Sequence, residues 1–213
     1  MRAIDHSTGA ARPALRGIMH LVSAPVAGLA ALWLVLTSPQ HQVALSIYGI
    51  GLVALFTVSG SYHVIATSEA RQKILRRLDH STIFAFIAAT YTPLIVIAVD
   101  GTAQTVAVLT IWTGAAVGAV AAFAAPKHPG VFALYLVLGW ASVGLIGSVW
   151  AENATSGTLV AAGGAAYTAG AILFALQRPF KTRTVFGYHE LWHTFTLTAA
   201  VCHFLAIRVL SLY

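Results

Sequence analysis

The sequence predicts an all-α membrane protein: one domain over residues 1–213, built of seven transmembrane helices with a cytoplasmic N-terminus and an outer C-terminus. Three observations predict it. The chain is 58% hydrophobic and only 8% charged, where a soluble domain carries about 25% charged residues. Its charges are bunched, leaving uncharged windows close to the roughly 20 apolar residues that a bilayer requires. Its basic residues also fall almost entirely on one side of the resulting topology, as the positive-inside rule demands.

The spans follow in order. Arg16 to Glu69 encloses 52 uncharged residues, divided by the polar, turn-prone Ser38-Pro39-Gln40-His41-Gln42 into spans at 15–37 and 43–66. The first follows a basic tail like that of a signal peptide, but its apolar stretch exceeds the usual length of about 7 to 15 residues, so it counts as a span. The 20-residue window from Asp79 to Asp100 gives a third span at 79–99. Windows of 26, 24 and 25 residues, ending at Lys127, Glu152 and Arg178, give spans at 102–124, 130–150 and 158–177. The seventh, 187–209, contains the 17 uncharged residues between Glu190 and Arg208.

With the N-terminus cytoplasmic, the inner segments hold Arg2, Arg12, Arg16, Arg71, Lys73, Arg76, Arg77, Lys127, Arg178, Lys181 and Arg183, which is 11 of the 12 basic residues. Only Arg208 falls outside. The net charge of +6 is then explained by topology and anionic lipid, and calls for no nucleic-acid partner. A multi-pass protein of the cell membrane, with membrane lipids as its partners, is expected. The single Cys202 reads as a small packing residue. Asn153-Ala154-Thr155 matches a glycosylation acceptor, a pattern too short to carry weight.

Ionisable side chains within spans are costly and mark function by default. At 1.5 Å rise per residue, His63 and Ser59 lie roughly 5 and 10 Å below the cytoplasmic surface, and His189 and His193 about 3 and 9 Å. Asp79 opens the third span at that same surface. Residues four apart share a helix face, so His189 and His193 form one pair and Ser59 and His63 another. Two imidazoles so placed reach one ion, and His63 completes three protein ligands with a fourth position left for water, as in a catalytic zinc site. Asp79 would ligate the metal, hold its water or act as general acid and base; as a bland alternative it caps the third helix. Ser59 would position water or a substrate carbonyl. Imidazole also suits copper, nickel and iron.

Other polar residues read more plainly. His20 has no partner at helical spacing and reads as a hydrogen-bonding group between helices. His203 lies ten residues beyond His193, about 15 Å away along the helix, outside any shared set of ligands. His80 and Glu190 are rotated about 100° from their neighbours and stand at most beside the site. His189-Glu190-Leu191-Trp192-His193 also matches the H-E-x-x-H signature of metalloproteases, but the Asp100-Gly101 turn that would add a ligand lies across the membrane.

Together, Ser59-x-x-x-His63, Leu78-Asp79-His80-Ser81, the run Ile87-Ala88-Ala89-Thr90-Tyr91-Thr92-Pro93, the His189 to His193 motif and Cys202-His203-Phe204 resemble the hemolysin III family. That family is the bacterial branch of the progestin and adipoQ receptor superfamily, which includes the adiponectin receptors and is related to alkaline ceramidases. The resemblance implies one zinc ion held by His63, His189 and His193, with Ser59 and Asp79 beside its water. It further implies hydrolysis of a lipid amide or ester and a role in membrane-fluidity homeostasis. Ala89 departs from the glycine of many members. Two alternatives remain: a non-enzymatic, zinc-stabilised bilayer sensor or receptor-like protein, and a pore-forming haemolysin.

Overall fold

The computed structural model describes residues 13, 15–141, 143–179 and 185–213. Every regular element among them is helical. In chain order these are α1 (Ile18–Leu36), a 3-10 turn (Pro39–His41), α2 (Gln42–Gly60) continued by a π-helical turn (Ser61–Ile65), α3 (Glu69–Ala98), α4 (Gly101–Ala124), α5 (Pro129–Trp140), α6 (Val143–Glu152), α7 (Ala154–Ala175) and α8 (Tyr188–Leu210). With α5 and α6 counted as one interrupted crossing, seven helical segments among the described residues are long and apolar enough to cross a membrane. The chain is a multi-pass membrane protein.

Helix α1 shows how the sequence divides its apolar surface. His20, Ala24, Ala27, Ala31 and Leu34 recur every three or four residues and are buried, forming one stripe of a 3.6-residue period. Between them Val22 and Val26 are each 63% exposed and Leu29 is 72% exposed, a face that only lipid would cover. Consecutive helices pack as neighbours, α1 on α2, α2 on α3, α3 on α4 and α7 on α8, and α8 also touches α1 and α3. The last helix therefore meets the first. Ala89 packs on Gly51, where a Cβ would lie 2.6 Å from that of Ala89, so the small residue needed at this α2–α3 contact is supplied by α2.

Three boundaries differ from those expected. Helix α3 starts at Glu69, not near Asp79, with the Ser68 hydroxyl accepting from Arg71 N at 3.4 Å. Asp79 is therefore interior to the helix, ten residues or about 15 Å from its start, and does not cap it. Glu, Lys and Arg are good helix formers, so the helix continues past the apolar stretch. The fifth span is broken: Ala141 N bonds Leu138 O at 3.3 Å and Gly144 N bonds Ala141 O at 3.2 Å, i to i+3 bonds that tighten the chain between α5 and α6. Helix α7 starts at Ala154 rather than 158, because Asn153 Oδ1 accepts from Ser156 N at 2.9 Å and caps it.

Candidate metal centre

Three histidines from two distant parts of the chain converge at the end of the bundle where α1 and α8 begin and α2 ends. His63 sits in the π-helical turn, closed by Ala66 N to Ser61 O at 3.1 Å; His189 and His193 occupy the first turns of α8. A π turn re-aims side chains relative to the helix before it and recurs at functional sites. The Nε2 atoms of His63 and His189 are 3.2 Å apart. The ring centroid of His193 is 5.0 Å from that of His63 and 4.8 Å from that of His189. One ligand nitrogen from each of the three lies within 4.8 Å of the others.

The donor set fits a metal ion. Two nitrogens bound tetrahedrally at about 2.0 to 2.1 Å stand about 3.3 Å apart, close to the separation of the two Nε2 atoms. His63 and His193 are 5% and 2% exposed, and His193 Nδ1 makes no hydrogen bond among the described residues. A buried imidazole nitrogen with nothing to bond is costly. Three imidazoles with one nitrogen each within 4.8 Å of the others would relieve that cost if an ion lay between them.

His20 stands between this cluster and Ser59. His20 Nδ1 is 2.9 Å from the Ser59 hydroxyl oxygen, and the half-buried Asp79 carboxyl lies near the same side chain. The His20 ring also stacks on His193, centroids 4.0 Å apart and planes 14° from parallel.

Comparison with known proteins identifies the family. The profile described as "Haemolysin-III related" matches residues 8–204. The chain belongs to the haemolysin III family. It is 30% identical to Hemolysin-3 of Bacillus cereus over 200 residues, covering 89% of this chain and 87% of that one. It is 28% identical to the Hemolysin-3 homolog of Bacillus subtilis (strain 168), covering 78% and 76%. The human monocyte to macrophage differentiation factor is 30% identical, covering 78% of this chain and 70% of its own.

In this haemolysin III protein Glu190 is committed to partners other than the histidines. Both its oxygens are engaged: Oε1 takes Arg16 Nε at 2.8 Å and Oε2 takes Gly187 N at 2.7 Å. The carboxylate is 0% exposed and stabilises the start of α8, which leaves it no part as the base of a metalloprotease. His80 has another partner: its carbonyl accepts from Tyr135 OH at 2.9 Å. The sequence expected His20 between helices, where it is, but not stacked on a candidate ligand, and Arg16 reads only as a topology charge. Neither contact has a helical spacing that a sequence pattern could register, because each joins residues more than 170 positions apart.

Proposed function

We propose that His63, His189 and His193 hold one zinc ion near the cytoplasmic face, and that the chain hydrolyses an amide or ester bond of a membrane lipid in lipid and membrane-fluidity homeostasis. The observation that supports this best is the convergence of three imidazole nitrogens within 4.8 Å beside a serine and an aspartate. Zinc suits three nitrogen ligands with one open position. When bound, the ion supplies a Lewis acid for a carbonyl oxygen and an acidified water.

The chain supplies the rest. Asp79 takes up a proton at a carboxylate oxygen and delivers it to the leaving nitrogen or oxygen, as a general base and then a general acid. Ser59 orients that carboxylate by donating to it, and His20 holds Ser59 in turn. Among the described basic residues, Arg16, Arg71, Lys73, Arg76, Arg77, Lys127 and Arg178 belong to the segments at the histidine end, and Arg208 to the opposite end. Arg2, Arg12, Lys181 and Arg183 lie outside the described residues. The positive-inside rule places the histidine end in the cytoplasmic leaflet, where each basic group attracts an anionic headgroup by about 1 kcal/mol.

The test is Asp79→Asn in detergent-purified, zinc-loaded protein offered a panel of lipid amides and esters, with products read by mass spectrometry. Turnover is expected to fall about 10²- to 10⁴-fold with zinc content unchanged. Zinc-loaded wild type that turns over no lipid faster than metal-stripped protein overturns the hydrolase reading and leaves a zinc-stabilised bilayer sensor. Dye release from liposomes by the purified protein would support a pore instead.

A further inference from the structure

We infer that the short strap of Leu15, Arg16 and Gly17, which leads into α1, positions the histidine centre, with Arg16 and Gly17 as its positioning residues; the inference rests on the metal reading above. Three consecutive residues reach both ligand-bearing elements. Leu15 N donates to Val185 O at 3.3 Å, in the segment before α8. Arg16 Nε donates to Glu190 Oε1 at 2.8 Å. Gly17 lies against His63.

Gly17 is glycine for two reasons. Its φ of 78° is left-handed, a conformation that side chains with a Cβ resist. A Cβ built there would also lie 2.3 Å from His63 Cβ and 3.3 Å from His63 Cγ. The opposing atom is close to the backbone of the π turn, so it cannot swing aside without carrying His63 with it.

Arg16 acts on the other ligand helix. Glu190 is fully buried between His189 and His193 in sequence, and its second oxygen holds Gly187 N, the residue before α8. Losing Arg16 leaves a buried carboxylate without its cation, which is strongly unfavourable. The first turn of α8 would then rotate or shift to hydrate it. A displacement of about 1 Å there breaks the 3.2 Å approach of His189 Nε2 to His63 Nε2, which is already the separation that one ion spans. The strap thus sets the gap between two elements 126 residues apart.

The test measures zinc affinity by competition with a chelating dye, and the visible spectrum of the cobalt(II)-loaded protein, for wild type, Gly17→Ala, Arg16→Gln and Arg16→Lys. Expected is a fall in zinc affinity of about 10- to 100-fold for Gly17→Ala and Arg16→Gln, the range for groups that orient ligands. An altered cobalt spectrum accompanies it, with partial recovery in Arg16→Lys. Folded variants with wild-type affinity and wild-type spectrum overturn the inference. If Gly17→Ala does not fold, the Arg16 pair decides; if Arg16→Gln also does not fold, the strap holds the whole bundle rather than the centre, and the inference falls. Wild type that takes up neither zinc nor cobalt overturns the metal reading and this one together, whereas metal-binding wild type with unchanged variants overturns this one alone.

Discussion

Helix α8 carries three histidines and uses them in two ways. His189 and His193 face a third imidazole from α2's end, with ligand nitrogens within 4.8 Å. His203, further along the same helix, fills the gap left by Gly163 of α7, where a Cβ would fall 2.4 Å from its Nε2. Its ring centroid is 5.8 Å from that of Tyr167, and its Nδ1 makes no hydrogen bond among the described residues. His193 is buried and His203 half-buried. What separates them is the facing helix: a nitrogen donor in one case, a glycine and an aromatic ring in the other. Whether a histidine can serve as a ligand depends on its partners across the bundle, not on its own burial.

Exchanging the two settings gives effects of decreasing size. His193→Ala removes one of three nitrogens, and stoichiometric zinc is expected to be lost, read as zinc per chain after gel filtration in a chelator-free buffer. Gly163→Leu drives a side chain into His203 and is expected to cost about 1 to 3 kcal/mol, the range for an overpacked core. That loss is read as a lower Tm in detergent, with zinc content retained if the two regions are independent. His203→Phe removes a ring whose Nδ1 makes no hydrogen bond among the described residues, and loss of an unpaired buried polar group is close to neutral. Its Tm is expected to change by less than about 1 kcal/mol equivalent, with zinc unchanged. Loss of zinc in either of the last two variants would show that the two ends of α8 are coupled and would break the comparison.

The sequence made much of this legible, for physical reasons that differ by element. Seven crossings follow from charge-free windows because charge is what the bilayer excludes. The same windows misplace the start of α3 by ten residues: Glu69 to Leu78 are charged yet helical, so a window marks the apolar layer and not the helix end. The break between Trp140 and Val143 leaves no mark in hydropathy, since both halves are apolar. At the site, the i, i+4 spacing and shared depth of His189, His193 and His63 pointed to one cluster. The stack of His20 on His193 and the Arg16–Glu190 pair were invisible, because both depend on α1 lying beside α8. Asn153 illustrates the reverse case: its short motif carries no weight in the sequence, while its side chain caps α7 at 2.9 Å.

The most direct measurement is metal content per chain, by elemental analysis of detergent-purified wild type beside folded His63→Ala, His189→Ala, His193→Ala and His203→Ala. One zinc ion per chain in wild type and in His203→Ala, with marked loss in the other three, is the expected result. Wild type that is metal-free and takes up no added zinc, or His203→Ala that loses zinc as fully as His193→Ala, would contradict a centre built from His63, His189 and His193.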